Sequence, residues 1–561
     1  MYFRNIASRF LVVALVLTIS IGAGLTAALH AQVVGATLSG EVTDAGGAIV
    51  PGATVSIRNV ATGSVRNVTT NDSGLYSAPN LLPGTYDVTV SQKGFAKAVQ
   101  NGITLRVGAQ SVLNIGLKVG QISQTVEVTD VVPIIQTGTS SIESTVDSTT
   151  IRELPLNGRD WTSLATLQPG VGKVNTQVTT AFSANKGNRG FGNQLTDSGH
   201  RPNENSYRVN GIIVNDYSNA APGGATGLNL GVDAVQEFSV VTTGYTSEYG
   251  RTSGAIINAI TKSGTNAFHG DGFFFDRDKI FDAKNFFNTG ANPPFRRIQF
   301  GGSAGGALVK DKTFIFGAYE GVRQNQPASQ LINVPTQEAR SGHLCVASGV
   351  NPCASLATVA IDPRITPYLA LWPCPAGCQS AVNSDVYTFG VALPSIANEN
   401  YYTFRLDQKL GRDDTLAGSY FFDSGPQQQP DPLQNAIHQV FSRRQMVSLE
   451  ETHTFGANWV NTARGGFSRV IGDINTPVSG ESTATSSALA IAPGASAPPQ
   501  IAITGFTTAI GLGGLNRFTH AWNSFQGTDD VFVTHGKHQF AFGGMFERMQ
   551  YNILEQLSPN G

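Results

Sequence analysis

Apolar and polar residues alternate one by one in repeated short runs through the second half of the chain. In one run, Tyr402, Phe404 and Leu406 alternate with Thr403 and Arg405. A period of two residues is the period of a β-strand, whose successive side chains point to opposite faces. Aromatic and aliphatic residues on one face and polar residues on the other are typical of a strand in a membrane-spanning barrel. A soluble β-sandwich shows the same alternation, so the pattern alone predicts strands and leaves both architectures open.

The lengths of the connections between these runs favour the barrel. The pattern predicts nine strands, which we place near residues 267–276, 297–307, 312–322, 400–410, 414–423, 444–455, 459–469, 521–533 and 538–549. Long and short connections alternate along this series without exception. Outer-membrane barrels have short periplasmic turns at one rim and long surface loops at the other. We therefore expect residues 263–561 to form an antiparallel transmembrane β-barrel, with long surface loops at 323–399 and 470–520.

The number of predicted strands suggests that this barrel is incomplete. Bacterial barrels have even strand numbers, and a barrel whose lumen is filled by a folded plug domain needs about 22 strands. Nine strands, with no terminal strand ending in an aromatic residue, lead us to expect the N-terminal portion of a longer protein. Such a chain should form an open, curved sheet with exposed edges.

Composition excludes several classes of function. Charged residues make up 14% of the chain and the formal net charge is −2, so no basic field for nucleic acid is expected. The nine histidines are scattered, and no HExxH motif occurs. We therefore expect no enzyme activity, no cofactor and no metal site.

The N-terminus resembles an export signal. Arg4 and Arg9 precede an apolar stretch, and small residues ending at Ala31 offer a cleavage site. We expect residues 1–31 to be a secretory signal peptide. The alternative is a membrane anchor, because residues 10–29 carry no charge. Either interpretation places the chain outside the cytoplasm.

All four cysteines lie within the first long predicted loop. Their spacing lacks the paired CxxC pattern of a zinc site, and exported proteins commonly form disulfides. We expect two local disulfides among these residues, with pairings such as Cys345–Cys353 and Cys374–Cys378, although spacing does not determine the connectivity.

Residues 36–120 alternate in short β-like runs with Gly- and Pro-Gly-containing turns, which predicts a small β-sandwich. The elements D-x-x-G-x-x-x-P-G-A, T-x-x-x-G-x-Y and L-x-P-G-x-Y-x-V-x-V occur there in order, ending at Val90. This segment resembles the carboxypeptidase regulatory-like domain, a transthyretin-like sandwich. The resemblance implies a binding or spacer module, with no catalytic role.

Residues 124–130 can be interpreted in two ways. They could form one more strand of the sandwich, or an extended segment that another protein captures by strand addition. The second interpretation rests on similarity to the TonB box, which implies a TonB-like inner-membrane energy-coupling protein as partner. The coupling residues would then be Thr125, Val126, Glu127, Val128 and Thr129.

Residues 131–262 contain the pieces L-P-L-N-G-R, Y-x-V-N-G-I, V-x-E-F and E-Y-G-R-x-S-G-A. Their succession resembles the α/β plug domain of TonB-dependent receptors of the Oar-like group. The resemblance implies that charged plug residues face the polar lumen of the barrel. The residues expected to make polar contacts between plug and barrel are Arg159, Arg201, Glu237, Glu248 and Arg251.

Two functions fit this mainly-β architecture of sandwich, plug and barrel. The first is a TonB-dependent receptor in outer-membrane lipid that takes up a small molecule, carbohydrate or peptide, with the sandwich in the periplasm. The second is a surface adhesion or carbohydrate-binding protein that uses the barrel as its anchor. The sequence does not identify the ligand.

Overall fold

The structure, a computed structural model, describes most of the chain. The described residues are 35–120, 125–127, 142–154, 156–174, 191–245, 249–283, 294–346, 355–379, 384–430, 433, 437–456, 458–475, 487–491, 493–495, 498–499, 501, 517–536 and 538–556. The predicted signal peptide lies outside them. Within these residues, no helix is both long and apolar enough to cross a membrane.

Strands dominate the molecule, as the sequence predicts. The strands are β1 Ala36–Asp44, β2 Thr54–Asn59, β3 Val65–Thr69, β4 Leu75–Leu81, β5 Gly84–Ser91, β6 Lys97–Leu105, β7 Gln110–Val112, β8 Ile115–Leu117, β9 Thr125–Glu127, β10 Ile142–Asp147, β11 Val171–Lys173, β12 Leu195–Asp197, β13 Ser206–Val209, β14 Ile212–Ile213, β15 Val235–Thr243, β16 Ile256–Thr261, β17 His269–Asp278, β18 Arg296–Val309, β19 Thr313–Asn325, β20 Ala328–Pro335, β21 His343–Cys345, β22 Leu356–Thr358, β23 Val386–Leu393, β24 Ile396–Leu410, β25 Asp414–Pro430, β26 Ile437–Phe455, β27 Trp459–Asn475, β28 Arg517–His535 and β29 His538–Gln556.

Helices are short and few in the described residues. The α-helices are α1 Ser148–Glu153, α2 Gln337–Arg340 and α3 Thr366–Leu369. The 3-10 helices are Asn157–Arg159, Trp161–Leu167, Pro202–Glu204, Val232–Ala234, Lys279–Phe281, Pro375–Cys378 and Ser487–Leu489.

The first unit is a two-sheet sandwich. One sheet has the order β4-β1-β7 with β8 also on β1, and the other has the order β3-β2-β5-β6-β9. Alternate residues of both sheets point inward, so that Leu38, Val55, Ile57 and Val88 are completely buried. This alternation is the reason that the turn-punctuated sequence folds as two packed layers.

The second unit is a five-stranded mixed sheet with the order β10-β15-β16-β13-β14. Strands β13 and β16 run parallel, whereas β10 and β15 pair antiparallel. Phe238 and Tyr207 are completely buried in its core, and Trp161 packs edge-on against Phe238 at 5.5 Å between ring centroids. Helix α1 begins after Asp147, whose side chain accepts a hydrogen bond from the Thr150 N–H.

The third unit is one antiparallel sheet of nine strands, in the order β17-β18-β19-β24-β25-β26-β27-β28-β29. The nine strands predicted from alternation are these nine. At one end of the sheet the connections are short and comprise residues 310–312, 411–413, 456–458 and 536–537. At the other end they are longer and comprise residues 279–295, 326–395, 431–436 and 476–516. The predicted alternation of short and long connections therefore holds.

One connection is much shorter than we expected. The sequence predicts a long segment between residues 424 and 443, but β25 continues to Pro430 and β26 begins at Ile437. The polar residues Gln427 to Gln429 pair in register with the start of β26. A strand of a barrel can extend beyond the apolar band that faces the membrane, and its residues there are polar. Alternation of apolar residues does not detect these polar ends, so it underestimates strand length.

The mixed sheet lies inside the curve of the nine-stranded wall. Phe316, Val322, Tyr401, Phe421 and Met446 of the wall share an apolar cluster with the core of the mixed sheet. The inward-facing residues of the wall thus contact this plug, whereas Phe404, Leu449 and Phe525 of the outward face are exposed. In the described residues, β17 and β29 each pair with only one strand, so the sheet is open.

The sandwich lies against the short-turn rim of the wall. Asn71 Nδ2 donates to the Gly536 carbonyl at 2.6 Å, and Asn80 Nδ2 donates to Thr462 Oγ1 at 2.7 Å. A cleft of about 460 Å³ remains between the sandwich, the plug and this rim.

The segment 326–395 has a structure of its own. β20 pairs with β23, and Ile332, Val334, Leu371 and Trp372 are buried together between them and α3. The Tyr368 hydroxyl donates to the Leu489 carbonyl at 2.8 Å, which joins this segment to the last long connection. The long loops at the outer rim therefore form a packed module.

Candidate functional site: the contact between plug and wall

Arg159 links the plug to the wall. It follows the turn Leu156-Asn157-Gly158 and has a positive φ of 53°. Its Nη2 lies 2.7 Å from Asp233 Oδ2 in the plug, and its Nε lies 3.2 Å from Glu320 Oε1 on β19 of the wall. The guanidinium carbon also lies 3.9 Å from the ring centroid of Phe273 on β17. Two carboxylates and the rings of Phe273 and Phe275, the latter at 5.5 Å, therefore surround this cation.

Glu320 is the wall residue on which this contact is centred. Its carboxylate also accepts hydrogen bonds from Gln299 Nε2 at 2.6 Å and from the Gly231 N–H at 2.9 Å. Because Gly231 belongs to the plug and Gln299 to β18, this one carboxylate joins three segments. A buried carboxylate that accepts several hydrogen bonds is held in one position.

A second set of polar contacts lies further around the wall. Arg444 on β26 forms an ion pair with Asp423 on β25, and its Nη1 donates to Asn229 of the plug at 2.9 Å. Glu399 on β24 accepts a hydrogen bond from the Thr226 hydroxyl of the plug at 2.5 Å. All of these charged side chains are buried.

The last strands of the wall contact the plug in the same manner. Arg251 Nη1 lies 3.4 Å from Glu547 Oε2 on β29. Gln526 on β28 accepts from the Ile213 N–H and donates to the Ile213 carbonyl, each at 2.9 Å. Gln526 therefore pairs with the edge of the plug sheet as another strand would.

Two other charged residues predicted for this contact, Arg201 and Glu237, lie elsewhere. Arg201 is exposed and begins the 3-10 turn Pro202–Glu204, where its backbone N–H donates to Glu204 Oε2 at 3.0 Å. Glu237 lies on the end of β15 that faces the sandwich, and its Oε2 accepts from the Val107 N–H at 2.8 Å. Glu248 lies outside the described residues. Among the predicted residues that the structure describes, Arg159 and Arg251 are thus the ones that contact the wall.

Two acidic residues, the buried Glu237 and the partly exposed Glu143, interact at the contact between plug and sandwich. Burial raises the pKa of Glu237 from 4.5 to about 7, and the nearby Glu143 adds to this effect. Burial likewise raises the pKa of Glu143 from 4.5 to about 7. Protonation of these two groups therefore occurs near neutral pH.

The predicted coupling segment begins in a strand. Thr125, Val126 and Glu127 form β9, which pairs parallel to β6 at the edge of the sandwich sheet. Val128 and Thr129 lie outside the described residues. This placement corresponds to the alternative in which the segment is the last strand of the sandwich. Among the described residues, β9 has a single partner strand.

The three described cysteines lie in the packed segment 326–395 at the outer rim, which we call the outer module. Cys374 and Cys378 form a disulfide, and Cys345 is also disulfide-bonded, whereas Cys353 lies outside the described residues. Among the described residues, one group could hold a divalent cation, because the ligand atoms of Asp414, Glu451 and His453 lie within 4.8 Å of one another. This group is on the outward face of the wall, away from the plug.

Sequence reasoning did not identify Asp233, Glu320, Glu399 or Arg444. Glu320 and Arg444 did carry a signal, because each is a charged residue at an inward position of a predicted strand. Their partners could not be found in this way, since Arg159 and Glu320 are 161 positions apart.

Comparison with known proteins agrees with this architecture. A family model described as an outer membrane beta barrel domain matches residues 260–561. A second model, the carboxypeptidase regulatory-like domain, matches residues 37–118. The second match confirms the resemblance that the N-terminal motifs carry, and the first confirms the barrel that alternation and connection lengths predicted.

One curated relative is the TonB-dependent transporter Oar of Myxococcus xanthus, which is 28% identical over 272 residues. The match covers 45% of this chain and 23% of that protein, so this chain spans well under two thirds of the relative.

Similar solved structures include the siderophore receptor PiuA from Acinetobacter baumannii, with 12% identity, a TM-score of 0.34, and coverage of 74% of this chain and 62% of that one. The outer membrane transporter YddB from Escherichia coli has 11% identity, a TM-score of 0.34, and coverage of 73% and 57%.

The family model for the barrel matches more than half of the chain, over the same residues that form the nine-stranded wall. The chain therefore belongs to the family of outer membrane beta barrel domains and is located in the outer membrane.

Proposed function

We propose that this chain acts as a TonB-dependent outer-membrane receptor that takes up an external ligand with energy from the inner membrane. The observation that carries the proposal is the polar contact between plug and wall. Arg159, Arg251 and Asn229 of the plug each contact a wall side chain through a hydrogen bond or ion pair. Water can replace such contacts when the plug moves, so a plug held in this way can open a path.

The position of the coupling segment supports the same proposal. β9 is an edge strand that precedes the plug, and it has one partner strand in the described residues. An edge strand can exchange its partner for a strand of another protein, because main-chain groups supply the affinity. A TonB-like protein that captures residues 124–130 would pull on the chain directly before the plug.

Uptake by whole cells tests this proposal. The variant Val126→Pro removes a main-chain donor from the segment, whereas Val126→Thr keeps its strand propensity. We expect Val126→Pro to abolish uptake of labelled oligosaccharides or peptides, with surface binding retained. Val126→Thr should transport normally. Equal uptake by cells with and without an energised inner membrane would contradict the proposal.

A second candidate function rests on the packed module at the outer rim. Residues 326–395 have a buried cluster and a disulfide of their own, and they contact the last long connection. A packed module of this kind at the outer rim could bind a surface carbohydrate or another cell, with the barrel as its anchor in the membrane. Under this alternative, Val126→Pro would leave both ligand binding and adhesion of the cells unchanged.

A further inference from the structure

Arg443 and Arg469 lie on the outward face of the wall, on the adjacent strands β26 and β27. Ser442 and Arg444, which flank Arg443 in sequence, are buried, and Arg444 donates to Asn229 of the plug. Because successive side chains of a strand point to opposite faces, Arg443 faces away from the plug.

The same argument applies to Arg469. Its neighbours Ser468 and Val470 are buried, and Val470 packs in an apolar cluster with Tyr217 of the plug. The residue pairs Arg443–Ile471 and Gln445–Arg469 face each other across the two strands. The two arginines are therefore diagonal neighbours on one surface, about 7–8 Å apart at the backbone.

The two arginines lie at the loop-side border of the apolar outward surface. The next outward row toward the short turns contains Val447, Phe467 and Phe525, which face one another in register. Val447 and Phe525 are exposed, and the rings of Phe467 and Phe525 lie 5.0 Å apart. Beyond the arginines the strands continue to the long connections. This is the level at which a barrel meets the head groups of the outer leaflet.

Neither arginine forms an ion pair within the part of the chain that the structure describes. The Nε atoms of Arg443 and Arg469 are buried without a hydrogen-bond partner. Asp473 is the diagonal neighbour of Arg443 on β27, and its Oδ1 accepts from the Thr519 hydroxyl at 2.6 Å. A buried guanidinium donor without an acceptor is unfavourable, so an anionic acceptor from outside the chain would stabilise this surface.

The outward face has the opposite charge at its other end. Glu451 and Asp529 occupy outward positions nearer the short turns, in register with Ala463 between them. These carboxylates would repel an anion near the short turns, whereas the adjacent guanidinium groups of Arg443 and Arg469 favour an anionic ligand at their level.

We propose that Arg443 and Arg469 bind the phosphate groups of a phosphorylated glycolipid in the outer leaflet. Guanidinium groups bind phosphate oxygens through paired, charge-assisted hydrogen bonds. The acyl chains of the same lipid would lie along Val447, Phe467 and Phe525, directly below its phosphates. This site does not depend on transport, since it lies on the face of the wall opposite the plug.

Lipid binding to the purified chain in detergent micelles tests the proposal. The probes are bisphosphorylated lipid A and the same lipid after enzymatic removal of its phosphates. We expect the wild-type chain to bind the phosphorylated form at least about tenfold more tightly. The double variant Arg443→Gln/Arg469→Gln should lose this preference. Arg364→Gln, a matched change at an exposed arginine of the outer module, should keep it.

Two further measurements make the result decisive. The variant Arg443→Lys/Arg469→Lys keeps both charges, so it should retain part of the preference if charge at these positions is responsible. The heat-dependent gel mobility of each variant shows whether the strands have folded. Undiminished preference in the folded Gln double variant would overturn the proposal. So would binding of inorganic phosphate that displaces lipid A completely, because the site would then recognise free phosphate.

Discussion

The cation at Arg159 is held between two carboxylates with little access to water, since 12% of its side chain is exposed. Arg159→Met keeps an apolar stem of similar length and leaves Asp233 and Glu320 without their shared cation. We expect the free energy of unfolding in lipid vesicles to fall by about 3 kcal/mol, because an unpaired buried charge is costly. Urea unfolding measures this change. Arg364→Met, at an exposed ion pair, is the control, and an equal effect of both variants would contradict the argument.

Gly40 provides a residue-scale test of the sandwich. A Cβ atom at this position would lie 1.8 Å from the Leu113 carbonyl oxygen, and backbone cannot move away as a side-chain end can. We expect Gly40→Ala to destabilise the sandwich by about 1–3 kcal/mol. Gly116→Ala in β8 is the matched control, because its Cβ atom would meet nothing within 4 Å. Hydrogen exchange of β1 and β4 reports both changes, and equal protection in the two variants would refute the steric argument.

At the scale of elements, the acidic pair Glu143 and Glu237 makes the contact between sandwich and plug depend on pH. Burial raises the pKa of both carboxyls from the ordinary glutamate value of 4.5 to about 7. The docked state therefore binds more protons, so docking is strongest below pH 4.5 and weakens as the pH rises to about 7. Hydrogen exchange at the Val107 amide should accelerate over this range beyond the intrinsic effect of pH.

The isosteric variant Glu143→Gln/Glu237→Gln separates this titration from other effects of pH. A glutamine carbonyl can still accept from the Val107 N–H but does not titrate. The corrected exchange rate in this variant should not change with pH between 4.5 and 7. If its pH dependence equals that of the wild type, other groups control the contact.

The disulfide Cys374–Cys378 lies beside Trp372 in the outer module. It closes a very short loop, so Cys374→Ser/Cys378→Ser should lower the local free energy of unfolding by about 2 kcal/mol. Hydrogen exchange in β20 and β23 should then be roughly thirtyfold faster. Exchange in β26, within the wall, is the internal control. Unchanged exchange in β20 would show that the apolar cluster alone holds the module.

The strands were easier to predict than their contacts because alternation is a local property. Any run with apolar residues at every second position can be recognised without knowledge of its neighbours, and all nine wall strands were found in this way. By contrast, the partners of Arg159 are distant in sequence, because Asp233 lies 74 residues and Glu320 lies 161 residues away. Such pairs depend on how the plug is oriented in the lumen, which short motifs do not encode.

The same limit explains the placement of Glu237. Its motif V-x-E-F predicted a plug residue, and the residue does lie on a plug strand. Which end of that strand faces the wall and which faces the sandwich follows from the packing of three units. The identity of the motif could therefore be read from the sequence, but the direction of its charged side chain could not.

For the whole molecule, the open edges of the wall determine how the isolated chain behaves. In the described residues, β17 and β29 each have one partner strand, and most of β29 is exposed. Unpaired backbone groups at the edge of a sheet bind other strands, and in a membrane each unpaired group is especially unfavourable. We expect the 561-residue chain in detergent micelles to associate through these edges as its concentration rises. Light scattering after size-exclusion chromatography measures this association.

Crosslinking shows whether the sheet edges form the contact between chains. Introduced cysteines at Phe274 and Gln550 should crosslink between chains only in the associated fraction, whereas a cysteine at Ala463, in the middle of the wall, should not. A chain that stays monomeric at all concentrations would show that its edges are covered in solution.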